Sequence, residues 1–381
     1  MSKLTIGVFF GSRSAEHDVS IITAISSVIK PLKLSGRYNI LPIYITKQGD
    51  WFCDERLGDV GIYSSGNIEA FVTKTKPAAV LINNGLTIVK LGVKNKYLKI
   101  DAAFPATHGT YGEDGSLMGL FEMANIPYVG CNLASSVLAM DKVLSKQIAQ
   151  SCGIKTPAYC AFDAQTELPK IINEVEHKLT YPLFVKPPHL GSSIAISRVT
   201  NTTELKHAIE LALHYDNKVL IEQAVTNLIE VTVPIMGNHE LKFANTEEPA
   251  SSSEFFDFKT KYMQGGKKGG KTPGNAQGYS HIPARIDPEL ERGCLEVAGR
   301  VYKALGCSGM ARIDLLIDKL TKEIYFNEVN PLPGSLYAHN WRTVGVSGVD
   351  LVCQLVDLAV ENHKNQAQLS TAFSSNFLKQ F

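Results

Sequence analysis

The first third of the chain alternates short apolar runs with amphipathic stretches, and this pattern limits the fold more than any other feature. The apolar run LTIGVFF (4–10) is followed by a Gly-Ser turn, a helical pattern over 14–30 and a second apolar run, NILPIYIT (39–46). Such alternation produces a mostly parallel sheet with helices on both faces. We therefore predict an N-terminal α/β domain over residues 1–140, with ligands expected beyond the carboxyl ends of its strands.

The chain has 381 residues, which is too long for one ordinary core, so further domains are expected. Residues 141–227 read as helix, strand, Gly-Ser loop, strand, helix and strand, and they predict a central domain. Residues 228–381 predict a C-terminal domain that contains a long loop, 251–278, rich in Gly and Lys. Loops of this length inside compact domains are usually functional lids or disordered, and we interpret this one as a lid.

The charges of the chain are nearly balanced, with 38 Lys and Arg against 37 Asp and Glu. This balance gives no strong field for nucleic acid or a membrane surface, so we expect neither as a partner. The seven cysteines show no CxxC spacing, which is typical of reduced thiols. The first apolar run is too short to span a membrane. We therefore expect a cytoplasmic protein.

A β-hairpin is predicted within residues 309–334. The apolar runs ARIDLLI and EIYFNEV are separated there by the turn-like DKLTK. A turn centred in this segment is expected to place Arg312 opposite Glu328 and Asp314 opposite Phe326. Because strand side chains alternate, the two faces of the hairpin should differ sharply in polarity.

One predicted face of this hairpin is polar and the other is apolar. The apolar, core-facing set is Ile313, Leu315, Ile317, Tyr325 and Val329. The polar set is Arg312, Asp314, Glu328 and Asn330. Carboxylates and an amide are the hard oxygen ligands that Mg²⁺ accepts beside phosphate. A solvated surface ion pair would explain one such pair alone, but four polar groups followed by a Pro-Leu-Pro-Gly turn favour a metal site.

The segment LFVKPPHLGSS places Lys186 at a strand end and Gly191, Ser192 and Ser193 in the following loop. A glycine loop exposes backbone N–H groups to anions, and the lysine adds charge. Phosphate binding is therefore indicated, although an ordinary hairpin turn would also fit the pattern.

Other polar residues carry weaker signals, each with an ordinary structural explanation. Glu16 opens a helix, where the dipole alone favours a carboxylate. His108 lies in the loop HGTYGEDG. It could donate a hydrogen bond to phosphate, or it could be an ordinary loop histidine whose hydrogen bonds are made within the protein. Glu230 follows the strand KVLIEQAV, whose edge could pair with a purine or simply be core. Lys261 and Tyr262 fall in the lid, where exposed polar residues are common.

Taken together, these segments resemble the ATP-grasp ligases, and within them the D-alanine–D-alanine ligases, from Gly11 to about Asn340. The matching motifs appear in the family's order: GSRSAEHDVS, FPATHGTYGEDG, MDK, VKPPHLGSS, IEQAV, FDFKTKY, ARID and NEVNPLPG. The resemblance implies a three-domain α/β fold with nucleotide bound between the central and C-terminal domains. It also implies that ATP activates one D-alanine as an acyl phosphate, which the amine of a second D-alanine attacks. The products would be a dipeptide for peptidoglycan synthesis, ADP and phosphate.

The resemblance also assigns roles to individual residues. The residues expected to contact ATP are Lys142, Lys186, Gly191, Ser192, Ser193, Glu222, Gln223, Val225, Glu230 and Lys261. Those expected to bind two Mg²⁺ ions, with Mn²⁺ as an alternative, are Asp314, Glu328 and Asn330. The catalytic group is expected to be Glu16, Ser192, Tyr262, Arg312 and Gly334, where Arg312 and the Gly334 N–H would stabilise an oxyanion. Glu16 and His108 are expected to hold the first substrate, and family members resembling this chain are commonly homodimers.

The acceptor segment departs from the family pattern. His339 and Asn340 stand where the family usually has Ser-Leu, which receives the carboxylate of the second substrate. Retention of Tyr262 favours an amine acceptor. One alternative is a related ligase joining a different amino or hydroxy acid in specialised metabolism, and another is a nucleotide-binding regulatory protein without catalysis.

Overall fold

The computed structural model describes residues 3–249, 280–370, 374–375 and 377–380. The strands in these ranges are β1 (Thr5–Gly11), β2 (Asn39–Ile45), β3 (Trp51–Cys53), β4 (Ala78–Ile82), β5 (Leu86–Lys90), β6 (Lys96–Ile100), β7 (Ala102–Pro105), β8 (Tyr159–Asp163), β9 (Leu183–Lys186), β10 (Ser197–Val199), β11 (Lys218–Gln223), β12 (Leu228–Met236), β13 (Lys242–Phe243), β14 (Glu248–Pro249), β15 (Ser280–His281), β16 (Met310–Asp318) and β17 (Ile324–Asn330).

The α-helices in the described ranges are α1 (His17–Ile22), α2 (Lys30–Ser35), α3 (Gly61–Ser64), α4 (Asn67–Lys74), α5 (Ser116–Met123), α6 (Leu133–Met140), α7 (Lys142–Ser151), α8 (Leu168–Lys178), α9 (Thr202–Tyr215), α10 (Pro288–Ala304), α11 (Ala338–Thr343) and α12 (Gly348–Gln366). Short 3₁₀ segments cover Glu55–Gly58, Gly334–Tyr337 and Phe377–Gln380. A π-helical stretch, Thr23–Ile29, joins α1 to α2 without a break.

The first sheet has the strand order β3-β2-β1-β7. Its central strand β1 is buried over most of its length and pairs in parallel with both β2 and β7. This arrangement confirms the parallel α/β sheet predicted near the N-terminus. A separate antiparallel sheet, β4-β5-β6, is inserted before β7, and the sequence pattern does not predict it.

Two antiparallel sheets form the rest of the scaffold. One has the order β10-β9-β11-β8, and the other has the order β13-β12-β16-β17. The C-terminal helix α12 returns to the first sheet, where Leu351, Val352 and Leu355 are buried in the same core as Ile6 and Val8 of β1. The two ends of the chain are therefore joined by one core.

The predicted hairpin is formed by β16 and β17, but its predicted register was wrong. Arg312 pairs with Asn330 and Asp314 pairs with Glu328, whereas Leu315 pairs with Phe326. One extra residue, Asn327, is therefore accommodated as a β-bulge after Asp314.

The bulge also corrects the prediction for the core face of β17. Phe326 is fully buried in the core, while Tyr325 is partly exposed and its hydroxyl donates to Glu323. The polar residues that the sequence predicts still share one face. The bulge lies between these residues and the turn, so it changes the alternation of side chains only on the turn side of the polar set.

The described cysteines are free thiols, as predicted. Within the described ranges, no single helix is long and apolar enough to cross a membrane. One bent pair of helical segments, Gly334–Thr343 and Gly348–Gln366, meets that criterion by length and composition only.

Candidate active site

A buried carboxylate between two lysines lies where the sheets converge. Glu222 on β11 contacts Lys186, and its Oε1 lies 2.7 Å from Lys146 Nζ. Lys146 is fully buried, and Glu222 and Lys186 nearly so. Burial raises the pKa of Glu222, but the two lysines outweigh this effect and hold the pKa below its usual value. The adenine contact expected of Glu222 stays a prediction, because the observed partners of its carboxylate are the lysines.

Lys186 contacts the hairpin in addition to its contact with Glu222. Its Nζ lies 3.4 Å from Asn327 Oδ1, the side chain of the bulge residue. Burial lowers the pKa of Lys186, but Glu222 and Glu328 more than compensate and leave the pKa raised. The lysine is thus held as a cation at the carboxyl end of β9, before the glycine loop.

Lys142, the first residue of α7, links this loop to the hairpin. Its Nζ donates to the Leu190 carbonyl at 2.9 Å and lies 3.1 Å from Glu328 Oε2. Burial raises the pKa of Glu328, but Lys142, Lys186 and Arg312 outweigh it and lower the pKa to about 2. Glu328 is therefore ionised at neutral pH, as its predicted role as a metal ligand requires.

Asp314, Asn330 and Arg312 form a connected group beside Glu328. The guanidinium of Arg312 binds Asp314 through two hydrogen bonds of 2.7 and 2.5 Å, and Asn330 Nδ2 donates to Asp314 Oδ2 at 3.0 Å. Within the described part of the chain, no group of three or more His, Cys, Asp or Glu could by itself hold a metal ion. Two carboxylates and an amide match the prediction of a Mg²⁺ site only if most of the coordination comes from phosphate oxygens and water, which is the arrangement that Mg²⁺ prefers.

A second carboxylate cluster lies beyond the end of β1. Ser192 donates a hydrogen bond to Glu16, which directly precedes α1. Burial and the nearby carboxylate of Glu113 raise the pKa of Glu16. A Cβ at Gly191 would lie 2.8 Å from Glu16 Oε2, so a larger residue here would displace the Glu16 carboxylate from its present position.

His108 belongs to the same cluster. Its Nε2 lies 2.9 Å from the hydroxyl of Thr23, in the π-helical stretch, and its Nδ1 lies 4.0 Å from Glu113. Thr23 Oγ1 accepts from the Ser335 N–H at 3.1 Å. π-helical turns are frequent at functional sites, and here one places a hydroxyl between two candidate site segments.

The turn after the hairpin has an unusual backbone. Ser335, Leu336 and Tyr337 all adopt left-handed conformations, with φ of 51°, 55° and 48°. Such strain in non-glycine residues clusters at functional sites. Gly334 begins this turn, and the guanidinium carbon of Arg312 lies 4.9 Å from the centre of the Tyr337 ring. The two groups predicted to bind the oxyanion are thus brought to the same region.

The atypical acceptor segment forms α11. His339 Nε2 lies 3.0 Å from Glu247 Oε2, and the His339 ring lies beside that of Tyr337 with 5.0 Å between centres. Burial raises the pKa of Glu247, but hydrogen bonds from His339 and Ser280 and other smaller interactions together outweigh it and leave the pKa lowered. Asn340 is fully buried and its Nδ2 donates to the Asn245 carbonyl at 2.9 Å, so the amide nitrogen is engaged by the protein itself.

The remaining predicted residues are less central in the described structure. Gln223 Oε1 accepts from the Thr180 N–H at 3.1 Å, and Val225 is partly buried just after β11. Glu230 is exposed on β12. The lid loop 251–278, with Lys261 and Tyr262, lies outside the described residues.

Sequence reasoning missed several residues of this site. Lys146 lies one helical turn after Lys142, and a lysine within the apolar stripe of a helix was the available signal. Glu113 stands inside the motif that contains His108. Nothing local marks Thr23, Asn327 or Glu247, because their roles depend on contacts between distant segments.

Comparisons with known proteins match nearly the whole chain to one family. The family model "D-ala D-ala ligase N-terminus" matches residues 5–131, and "D-ala D-ala ligase C-terminus" matches residues 148–357. A D-alanine–D-alanine ligase of Clostridium novyi is 37% identical over 368 residues, covering 94% of this chain and 98% of that protein. A D-alanine–D-alanine ligase of a Thermoanaerobacter species is also 37% identical, covering 97% of this chain and 99% of that protein.

Two solved structures are similar over nearly the whole chain. The VanG D-Ala:D-Ser ligase of Enterococcus faecalis is 34% identical with a TM-score of 0.79, covering 94% of this chain and all of that one. The D-alanine–D-alanine ligase of Coxiella burnetii is 25% identical with a TM-score of 0.80, covering 97% of each chain. The fold is thus that of the ATP-grasp ligases. The chain belongs to the D-alanine–D-alanine ligase family of ATP-dependent carboxylate–amine ligases.

Proposed function

We propose that this chain joins two molecules of D-alanine for peptidoglycan synthesis, with release of ADP and phosphate. The observation that carries the proposal is the convergence of Lys142 and Lys186 on the face of the hairpin that bears Asp314 and Glu328. Cations and oxygen ligands in this arrangement suit phosphoryl transfer, which depends on positioning and charge neutralisation.

The described residues divide the chemistry between two ends of the site. Lys142, Lys186 and the Gly191–Ser193 loop would hold the ATP phosphates, and Asp314, Glu328 and Asn330 would hold two Mg²⁺ ions, which neutralise phosphate charge. Mn²⁺ would serve in their place. The adenine and ribose would lie along β11 and β12, near Gln223, Val225 and Glu230.

Glu16 would bind the ammonium group of the first D-alanine, with His108 close by. The second amine would then attack the activated carboxyl carbon. Arg312 and the Gly334 N–H would stabilise the oxyanion formed in that step, which is often the largest single catalytic contribution. His339, fixed by Glu247, would receive the carboxylate of the second substrate.

The domain division 1–140, 141–227 and 228–381 belongs to the same proposal, with nucleotide between the second and third domains. We further propose a cytoplasmic homodimer. Size-exclusion chromatography with light scattering tests the assembly, with twice the 41.6 kDa chain mass expected.

The reaction is tested by phosphate release from ATP and Mg²⁺ with D-alanine, followed by product mass. The D-alanyl dipeptide with one phosphate per bond is the expected result. D-serine and D-lactate are supplied as competing acceptors, because one structural relative carries the name D-Ala:D-Ser ligase. Turnover only in mixed pairs would instead support a ligase with a different acceptor.

A further inference from the structure

His189 lies in the loop after β9, two residues before Gly191, and both of its ring nitrogens contact buried carboxylates. Nδ1 lies 2.9 and 3.0 Å from the two oxygens of Asp216, and Nε2 lies 3.1 Å from Asp141 Oδ2. The backbone N–H of His189 also donates to Asp216 Oδ2 at 2.8 Å. The side chains of the two aspartates are only 4–5% exposed.

Each aspartate is part of an element that supports the phosphate end of the site. Asp141 caps α7, accepting from the N–H groups of Val143 and Leu144 at 2.9 and 3.1 Å. Asp216 ends α9, and its Oδ1 accepts from the N–H of Lys218, the first residue of β11, at 3.2 Å. The histidine thus ties the loop to the helix that begins at Lys142 and to the strand that carries Glu222.

The charges of this group balance only when the histidine is protonated. Lys218 Nζ lies 2.7 Å from Asp141 Oδ2, so two carboxylates face one lysine and His189. Hydrogen bonds to Asp141 and then Asp216 raise the pKa of His189 to about 9. An imidazolium is therefore the form that fits between the two acids at neutral pH.

The loop around His189 is held by further hydrogen bonds on both sides of this residue. The carbonyl of Pro188 accepts from the backbone N–H of Lys142 at 3.4 Å, and the carbonyl of Leu190 accepts from its Nζ at 2.9 Å. Ser192 then reaches Glu16. Attachments at Pro188, His189, Leu190 and Ser192 therefore determine where the N–H groups of Gly191–Ser193 lie, and His189 makes the largest number of them.

We propose that His189 is a positioning residue that anchors the start of the phosphate-binding loop and so presets its N–H donors for the phosphates of the nucleotide. The role in nucleotide binding rests on the proposed function, whereas the anchoring of the loop does not. Preorganised loops bind more tightly because less ordering is needed on binding.

The anchor has a defined pH dependence. The groups that face His189 are Asp141, Asp216 and Lys218, and both carboxylates have lowered pKa values and remain ionised above neutrality. Because the folded-state pKa of His189 is raised, its contribution is complete below about 6.5, the ordinary histidine value, and is lost as the pH rises through about 9.

Hydrogen–deuterium exchange on the nucleotide-free protein tests the anchor directly. His189→Ala is expected to speed exchange of the amides in 187–196 at pH 7 about tenfold, which corresponds to about 1.4 kcal/mol of lost local stability. His207→Asn is the matched control, since His207 forms only an exposed pair with Glu210 on α9 and should leave this loop unchanged. Exchange that is unchanged in the loop, or raised equally throughout the protein, would overturn the proposal.

Calorimetric titration with ADP and Mg²⁺ tests the consequence. His189→Ala is expected to weaken ADP binding about tenfold at pH 7. His189→Asn retains a neutral hydrogen-bond donor, so it should recover part of the lost affinity. It should also remove the change in ADP affinity between pH 7 and 9.5 that we expect of the unmodified protein. An Asn variant with the unmodified pH profile would contradict the role of His189. If the unmodified protein binds no ADP while loop exchange still depends on His189, the proposed function fails and the anchor stands.

Discussion

Ser192 donates a hydrogen bond to the carboxylate of Glu16, although 176 residues separate the two in sequence. The contact joins the Gly191–Ser193 loop, for which we propose phosphate binding, to the beginning of α1. It also places a polar partner on a carboxylate whose pKa is raised by burial and by Glu113. The proposed ammonium site and the proposed phosphate site are therefore linked by one side-chain hydrogen bond.

Replacement of Glu16 by Gln is expected to lower kcat/KM for D-alanine about 10- to 100-fold, because a charge-assisted hydrogen bond is lost. The same change should raise the Tm of the ligand-free protein. The folded state binds a proton on Glu16 more tightly than the unfolded state, so its stability falls as the pH rises through the raised pKa. The stabilisation by Gln should therefore be larger at pH 8 than at pH 5.

Asp18→Asn is the control for this variant, because Asp18 lies two residues away in the first turn of α1, where it is exposed and pairs with Lys47 at the surface. Thermal unfolding at both pH values and steady-state kinetics would be compared. A Glu16→Gln protein with reduced stability at pH 8 would show that the ionised carboxylate is favourable in the folded state.

Arg312→Ala is expected to reduce ligation at least about 100-fold while ADP affinity changes only severalfold. An oxyanion donor typically contributes about 3–4 kcal/mol to the transition state. The guanidinium of Arg312 is hydrogen-bonded to Asp314, and its removal leaves in place the lysines and the loop that would hold the phosphates. Dipeptide formation and calorimetric ADP binding measure the two effects. Arg342→Ala, on α11, is the control, and equal loss of ADP binding and ligation in Arg312→Ala would contradict its assignment.

Lys146→Met should lower the free energy of unfolding by about 3 kcal/mol, because it breaks a fully buried ion pair with Glu222. Urea denaturation measures the change. Lys155→Met removes an exposed pair with Glu323 and should have little effect. Equal stability of the two variants would mean that Lys186 alone compensates the buried carboxylate.

The two atypical acceptor residues are expected to behave differently. His339→Ser should raise KM for the second substrate about tenfold, with KM for ATP unchanged, because it removes the imidazole that contacts Glu247. Asn340→Ala should instead lower the free energy of unfolding by roughly 1–2 kcal/mol, because the buried amide nitrogen of Asn340 donates a hydrogen bond to the Asn245 carbonyl. Two-substrate kinetics and urea denaturation separate these outcomes, and a selective rise in acceptor KM for Asn340→Ala would reverse the assignment.

The sequence predicts what depends on local pattern. The parallel sheet around β1 follows from strand–helix alternation, and the polar face with Arg312 and Asp314 follows from strand periodicity. The strand register was wrong because a bulge leaves no local signature around Asn327. The partners of His189 and His339 were not predictable either, since Asp141 and Glu247 approach them only through packing of distant segments.

The bulge at Asn327 changes the parity of β17. Before it, the even-numbered Phe326 enters the core, and after it the odd-numbered Val329 does so. A strand without the extra residue could keep Phe326 buried or keep Glu328 beside Asp314, but not both. The length of this strand is therefore constrained more tightly than its composition, and deletion of one residue should be more harmful than most substitutions within it.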